Sequence, residues 1–506
     1  MTAISSSIGL ERISRVSGYS IKKAFFGNDT ANLPQILAIF AEANTANQGT
    51  LNTNKREVTS AEEAGRIYGY GSPIHQIMRI LRPIGQTGIG GIPTIVFPQE
   101  TDEDATATVI ALTVTGTATK NATHYLRIAG RENLDYQPYS YNVQIGDTPT
   151  AVASKMAAAV NAVLGCPVTA SSALGVITLT TKWKGKTSSS ITIDINPQGE
   201  LAGLTYAVTS TTEGAGSVDL SEALNQFGTD WYTGVINSYG EDTLAVLEQF
   251  NGQPSIENPT GRYSAEIFRP FMAFFGYNGT DKEEFAAITD AAARRDQVTN
   301  VLCPAPGSAA FPWEAAANVA RLFARTMQDS PEKDVNGQSY PDMPVPVSGN
   351  IGDMSDYENR DFLVKKGCSN VILDKGFYKI QEIVTTYHPE GEVPLQFSYC
   401  RNLNLDWNIA DSYKILEERR LKDRVLIRDE QVTDSPNAIK PKEWKAVLFD
   451  FFNDLAVSAL INDPDFSKQS LNVQVSADNP NRFETTFKYK RTGIARVEST
   501  TVEAGF

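Results

Sequence analysis

The sequence contains no hydrophobic run that approaches the roughly eighteen consecutive apolar residues of a transmembrane helix. Its start, MTAISSSIGLERISR, has no apolar stretch behind a basic patch, so no secretory signal is predicted. We therefore expect a protein that is made and kept in a cytoplasm and does not insert directly into a membrane.

Cysteine and histidine are scarce, with four and three residues. The cysteines lie far apart without a C-x-x-C spacing, which is typical of free buried thiols and not of disulfides or zinc ligands. No histidine has a second ligand at helical spacing, so each is interpreted as a surface or helix-face residue. We expect no metal and no cofactor. These residues are Cys166, Cys303, Cys368, Cys400, His75, His124 and His388.

A basic surplus is also missing, since 45 basic residues face 59 acidic ones and the net charge is −14. A nucleic-acid binder needs a positive footprint for phosphates, so that class is excluded. The two ends differ from the rest. Residues 1–30 and residues 482–506 each carry a net charge of +2, which predicts two mildly basic arms on an acidic body.

Patterns for catalysis are absent as well. There is no G-x-S-x-G elbow, and the glycine-rich stretch Gly85 to Pro93 lacks the GK[ST] of a phosphate-binding loop and precedes a strand. An enzyme would need a cluster of titratable groups at the strand ends of an α/β layer, and none can be identified. We predict no enzyme and no catalytic residue.

What is present is a sequence of 506 residues, enough for several domains. Strand and helix patterns alternate in residues 31–100 and again in residues 217–346, which predicts an α/β core. Between them, residues 101–216 are rich in Thr, Ser, Ala and Gly with one helical stretch, which predicts an inserted β-rich domain. We expect this insert to project outward and to be dispensable for assembly. Residues 347–481 form a further α+β domain.

The terminal segment RFETTFKYKRTGIARVESTTVEAGF places Phe483, Thr485, Phe487 and Tyr489 on one side of an extended chain. This alternation predicts a half-buried strand. Since no element follows, the strand has no evident local partner.

The stretch KILEERRLKDR, from Lys414 to Arg424, is predicted to be a helical face of mixed charge. It is either a solvated surface or an interaction helix for a charged partner.

Taken in order, these segments resemble the contractile tail sheath proteins of phages, and most closely the Mu-like branch. The likeness is carried by FAEANTANQGT and VTSAEEAGRIYGYGSPIHQIM near the start, and by GDTPTAVASKMAAAVNA, PVTASSALGVITLTTKWKG and GLTYAVTSTTEGAG in the insert. It continues in ENRDFLVKKGCSNVILDKGFYKIQEIVTTY of the C-terminal part. The resemblance covers nearly the whole chain.

The resemblance implies a structural protein without catalysis, with a sheath core, an inserted β-rich domain and extended, exchangeable terminal arms. It implies hexameric rings of this chain stacked helically around a tail tube protein, with baseplate and tail terminator proteins at the ends. The sheath would be assembled in the host cytoplasm, would form part of the virion tail and would contract without a nucleotide. A bacteriocin or another contractile injection system is an alternative setting.

In such sheaths the terminal arms add strands to a neighbouring subunit, a head-to-tail contact that generates helical filaments. The predicted arm contacts are Ile8, Leu10, Ile13, Val16, Phe483, Phe487, Tyr489, Ile494, Val497 and Val502. The charged stretch becomes a candidate contact with the tail tube or a neighbour, through Lys414, Glu417, Glu418, Arg419, Arg420, Lys422 and Arg424.

A second hypothesis, from another functional class, is a surface-binding adhesin whose insert holds a carbohydrate. It predicts an aromatic patch on the insert, which has few aromatic residues: Tyr125, Tyr136, Tyr139, Tyr141, Trp183 and Tyr206.

Overall fold

The structure is a computed structural model that describes residues 32–85, 87–196, 199–254, 258–390 and 397–504. The predicted N-terminal arm, with Ile8, Leu10, Ile13 and Val16, lies outside these residues. Within the described ranges, no helix combines the length and the apolar character needed to cross a membrane.

The first part of the chain supplies the centre of the main sheet. Its strands are β1 Leu37–Glu42, β2 Arg56–Glu57 and β3 Thr94–Gln99, and its helices are α1 Thr45–Gln48, α2 Ala61–Tyr68 and α3 Pro73–Leu81. The Ser60 hydroxyl caps α2 by accepting a hydrogen bond from the Glu63 amide at 3.1 Å. Every residue of β1 is buried, as expected for a strand covered on both faces.

The insert follows β3 and is built from nine strands and one α-helix. The strands are β4 Val109–Gly116, β5 Ala122–Ile128, β6 Asn133–Leu134, β7 Gln137–Pro138, β8 Ser140–Val143, β9 Val168–Ala173, β10 Val176–Thr181, β11 Ile193–Ile195 and β12 Leu204–Thr212. The helix is α4 Pro149–Ala162, and a 3₁₀ helix spans Lys186–Ser190. One sheet has the order β12-β4-β10-β9 and a second has β11-β5-β8.

The α/β part completes the main sheet. It contains α5 Ser221–Asn225, β13 Gly234–Asn237, α6 Leu244–Asn251, β14 Met272–Tyr277, α7 Lys282–Thr289, β15 Asn300–Pro304 and α8 Pro312–Asp329, with 3₁₀ helices at Gly240–Thr243 and Gly261–Tyr263. The sheet order is β15-β14-β13-β1-β3-β2, and all neighbours are parallel except the β2–β3 pair. The predicted parallel α/β layer is present.

The insert and the main sheet share one hydrophobic core. Trp183 of the insert is fully buried and packs edge-on against Phe311 and Trp313, with ring centroids 5.5 Å and 6.0 Å away. Nearby, the Arg131 guanidinium lies 2.6 Å from the carboxylate of Glu314 on α8. Gly71, at φ +88°, has no room for a side chain, because a Cβ would lie 2.2 Å from the Cys166 carbonyl oxygen.

The C-terminal part begins with two short helices, continues with a hairpin and ends with longer helices and short strands. Its elements are a 3₁₀ helix Gly352–Ser355, α9 Tyr357–Lys365, β16 Asn370–Asp374, β17 Phe377–Glu382, α10 Cys400–Arg420, β18 Val425–Leu426, β19 Ala438–Ile439, α11 Pro441–Val457, α12 Pro464–Ser470, β20 Asn472–Val475 and β21 Phe483–Thr486. β16 and β17 form a hairpin with Lys375 and Gly376 in its turn, both at positive φ.

A separate small core lies at the end of the chain. It is formed by one face of α10 with α11, β20, Phe483 of β21 and the residues that follow β21. Residues 405–491 are called the C-terminal unit below. The opposite face of α10, with Leu403 and Trp407, belongs to the core of the main sheet. Helix α10 is therefore shared between the two cores.

Candidate assembly interface

The predicted terminal strand exists, but the prediction that it has no local partner is wrong. β21 pairs antiparallel with β20, from Asn472 opposite Thr486 to Val475 opposite Phe483. Within the described residues no third strand joins this pair. The C-terminal unit therefore carries a two-stranded sheet whose outer edges pair with no strand of the described chain, the kind of edge to which a further strand can add.

The aromatic side of this segment packs onto its own subunit. The Phe487 ring lies 5.5 Å from that of Tyr413 and 5.1 Å from that of Phe452. Phe483 and Tyr489 are also partly buried against the same core. These three predicted arm contacts therefore anchor the segment within its own subunit.

A partly buried ion pair lies just after Tyr489 in the chain. Asp406 on α10 accepts hydrogen bonds from Arg491 at 2.7 Å and 2.5 Å, and from the Tyr489 hydroxyl at 2.8 Å. Burial by itself would lower the pKa of Arg491, but the bonds to Asp406 raise it. The charged, bidentate form of the pair is therefore favoured here.

A second arginine ends the anchored stretch. Arg496 is paired with Asp334 and Glu382, at 3.0 Å from the latter, and its guanidinium lies 3.9 Å from the centre of the Tyr399 ring. Because its carboxylate partners are 7% and 16% exposed, this contact is largely shielded from solvent. Ile494 lies between the two arginines and is half-buried.

Beyond Arg496 the described chain is exposed to solvent. Val497 and Val502 are 87% and 80% exposed, and every described residue from 497 to 504 is exposed. Within the described chain, no strand includes these residues. We call residues 497–506 the C-terminal tail, of which the structure describes residues 497–504.

The predicted charged helix is shorter than expected. Helix α10 ends at Arg420, so Lys422 and Arg424 lie beyond it, and Arg424 donates to the Pro436 carbonyl. Lys414 and Glu417 are half-buried, and Lys414 lies 5.3 Å from the Phe268 ring centre. Three remaining residues, Glu418, Arg419 and Arg420, are exposed at the end of the helix.

An apolar groove of about 510 Å³ runs along this side of α10. Its walls come from three segments and are mainly aromatic. They include Tyr263, Phe268, Trp407, Tyr413, Phe487 and Tyr489. The half-buried end of the charged stretch, Lys414 and Glu417, lines the same groove, so this part of the stretch is not a solvated face.

All three histidines are buried, so none is a surface residue as interpreted from the sequence, and one of them, His75, lies on a helix, α3. His75 accepts a hydrogen bond from the Gly71 amide, and burial lowers its pKa to about 4. His124 bonds to the Tyr206 hydroxyl at 2.6 Å. His388 lies between the Thr386 carbonyl and Asp290. The four cysteines are free and buried, as predicted.

Sequence reasoning missed one titratable group at a strand end. Glu42 is the last residue of β1, is 5% exposed, and has its pKa raised to about 7 by burial. The signal in the sequence is a carboxylate that ends the apolar run LAIFA.

The aromatic patch expected of an adhesin does not form on the insert. Tyr139, Tyr141 and Trp183 are buried, and Tyr206 bonds inward to His124 and Tyr141. Of the six aromatics considered, only Tyr125 and Tyr136 are exposed.

Comparison with known proteins gives one curated relative. No family model matches the chain. The chain is 23% identical over 437 residues to the tail sheath protein of the Mu-like prophage FluMu of Haemophilus influenzae, and the match covers 84% of each protein.

The chain is thus similar over most of its length to a tail sheath protein, in agreement with the resemblance seen in the sequence. The resemblance to sheath proteins is confirmed by this relative, which indicates a structural tail sheath protein and not an enzyme.

Solved structures of sheath proteins have lower similarity. The sheath tail protein of Desulfitobacterium hafniense is 11% identical with a TM-score of 0.45, covering 94% of this chain and all of that one. The Listeria innocua sheath tail protein is 10% identical with a TM-score of 0.44, covering 91% and 93%. The contracted helical sheath of the anti-feeding prophage is 9% identical with a TM-score of 0.39, covering 97% and 99%. The assignment rests on the sequence relative alone.

Proposed function

We propose that this sheath subunit forms hexameric rings, which stack helically around a tail tube and contract to drive the tube through a target envelope. The observation that carries the proposal is the C-terminal tail. Its described residues beyond Arg496 are exposed and form no strand within their own subunit, and the sheet of β20 and β21 pairs with no further described strand. A tail of this kind can add a strand to a neighbouring copy and so link subunits head to tail.

The two arms act as flexible links in this proposal. Apolar side chains of both arms enter neighbouring subunits. In residues 1–30 these are Ile8, Leu10, Ile13 and Val16, and in the C-terminal tail they are Val497 and Val502. The links persist while the subunits rotate and repack, so the lattice stays connected during contraction. No nucleotide is needed, because the extended sheath is kinetically trapped during assembly.

The division into domains belongs to the same proposal. Residues 31–100 and 217–346 form the sheath core, residues 101–216 the insert and residues 347–481 the C-terminal domain, with arms at 1–30 and 482–506. The proposal also includes assembly in the host cytoplasm with tube, baseplate and terminator proteins. It further includes a role in genome ejection. A bacteriocin-type particle is the alternative setting.

Electron microscopy tests the assembly directly. Negatively stained full-length protein should form striated tubes or rings at high concentration, or around purified tube protein. Monodisperse monomers under both conditions would contradict a sheath that assembles from this chain.

The exposed end of α10 is the candidate contact with the tube. Reversing Glu418 to Lys should weaken co-assembly with tube protein at low salt and have less effect at high salt. Glu430→Lys is the matched control, because Glu430 is equally exposed but lies outside the charged stretch. If wild type and both variants co-assemble with tube protein equally well, the charged stretch is a solvated surface and not a contact with the tube.

A further inference from the structure

The carboxyl edge of the main sheet contains a crevice that the insert fills. β1 lies between β3 and β13. The chain after β1 first adds β3 on one side of it and later adds β13 on the other side, so the order of the strands reverses at β1. In doubly wound sheets, ligands bind outside the carboxyl ends of the strands at this point. Here the 3₁₀ helix Lys186–Ser190 of the insert covers it.

Glu42 lies at the centre of this contact. The Thr187 hydroxyl of the insert donates to its carboxylate at 2.8 Å, and the Trp183 indole donates to the same hydroxyl at 3.1 Å. A chain of hydrogen bonds thus joins the buried core tryptophan to the end of β1. Gly185 lies against the same carboxylate, since a Cβ there would be 3.4 Å from Glu42 Oε1.

The second oxygen of Glu42 is buried and has no hydrogen-bond partner in the described structure. The hydroxyl groups of Ser238 and Tyr239, which follow the neighbouring strand β13, are likewise buried without a described partner. A small cavity of about 20 Å³ adjoins Glu42 and Tyr239, which is room for one water molecule. A buried carboxylate with one unsatisfied oxygen is costly when charged.

The charged groups around the cavity come from three segments. The insert contributes Lys184 and Lys186, the segment after β3 contributes Glu100 and Asp102, and the 3₁₀ helix after β13 contributes Asp242. Lys186 is paired with Asp242 at 2.7 Å, and both side chains are exposed. Outside the Lys186–Asp242 pair, two acidic groups, Glu100 and Asp102, remain beside one cation, Lys184, and this balance does not favour an ionised Glu42.

We propose that Glu42 is a proton-controlled joint between the insert and the main sheet, which is closed when its carboxyl group is neutral and loosens when that group ionises. The proposal is independent of the arm exchange and of the sheath function. It assigns the insert a coupling to the core that depends on mild acidity.

The direction of the effect follows from linkage. Burial raises the pKa of Glu42 to about 7, whereas a carboxyl group released into solvent would have the ordinary value of 4.5. The closed joint therefore holds a proton that the open joint releases. Its stability is full below pH 4.5, falls as the pH rises to about 7, and is constant above that.

Hydrogen exchange of the full chain measures this opening. The amides of Gly185 and Ser188 report it, because they donate to the Thr106 and Gly185 carbonyls. After correction for intrinsic exchange, the opening constant at these amides should rise on the order of a hundredfold between pH 4.5 and 7.5. In Glu42→Gln this rise should disappear, while Glu241→Gln, an exposed neighbour, should behave as wild type.

A third variant keeps the test informative if Glu42→Gln folds poorly. Thr187→Val removes the hydroxyl that donates to Glu42 and lowers its pKa. In this variant the opening constant should therefore continue to rise to a higher pH before it becomes constant. A wild-type opening constant that does not change with pH would overturn the proposal. An equal rise in wild type and Glu42→Gln would also overturn it, because another group would then control the joint.

Discussion

The insert and the C-terminal unit are attached to the main sheet in different ways. The insert differs most in composition, yet it shares one core with the sheet through Trp183 and a buried ion pair at Arg131. The C-terminal unit has a core of its own and meets the sheet through α10, and Arg496, just beyond the unit, pairs with Asp334. A change of composition along a chain therefore does not indicate an independent module.

This difference changes the expectation for the insert. Its removal would expose Phe311 and Trp313, which are 1% and 2% exposed in the intact protein. We therefore no longer expect a simple deletion of residues 101–216 to leave the remainder undisturbed. The C-terminal unit, by contrast, can lose stability without opening the core of the sheet.

The largest effect is expected for Trp183→Ala. The ring is fully buried between the insert and the sheet, so its loss should lower the free energy of unfolding by about 3–5 kcal/mol. Denaturant unfolding followed by fluorescence and circular dichroism should show one shifted transition for both insert and sheet. Tyr136→Ala, at a ring that is 94% exposed, should change stability by less than about 0.5 kcal/mol. A separate early transition of the insert alone would contradict a shared core.

A similar cost is expected when the ion pair at the same contact is broken. Arg131→Met leaves the buried Glu314 carboxylate without its partner and should destabilise the protein by about 3 kcal/mol. The matched control is Lys120→Met, because the Lys120–Glu200 pair lies on the surface of the insert with both side chains more than half exposed. The control should cost less than about 1 kcal/mol. Equal losses of unfolding free energy in the two variants would mean that burial of the ion pair does not affect its contribution to stability.

Phe487→Ala tests whether the core of the C-terminal unit is independent of the core of the main sheet. The ring is partly buried, so a loss of about 2 kcal/mol is expected, confined to the C-terminal unit. Hydrogen exchange should accelerate in α11 and β20 and stay unchanged in α8. Acceleration in all three elements would show that the two cores unfold together.

Much of the fold could be predicted from local patterns. The capped helix after Ser60, the β16–β17 hairpin and the strand at Phe483 are each encoded within a few residues. The partner of that last strand was missed, because alternation shows that a strand is half-buried and not which strand it pairs with. Glu42 and the histidines were missed or misplaced for a related reason. Their burial and pKa depend on segments far away in the sequence, such as the insert that covers Glu42.

The smallest effect on stability, and the most informative on function, is expected from removing the C-terminal tail. Its described residues are exposed and follow the last anchored contact at Arg496, so a chain ending at Arg496 should unfold within about 0.5 kcal/mol of wild type. Arg496→Ala in the full chain is the contrasting variant. It leaves Asp334 and Glu382 without their shared partner and should reduce stability by about 2 kcal/mol.

Electron microscopy of the chain that ends at Arg496, at concentrations where the full chain forms tubes, tests the account most directly. We predict folded, soluble monomers that form neither rings nor tubes, because the strand that each copy lends to its neighbour is gone. Tubes indistinguishable from those of the full chain, or loss of the fold, would contradict the claim that the C-terminal tail serves the neighbouring subunit.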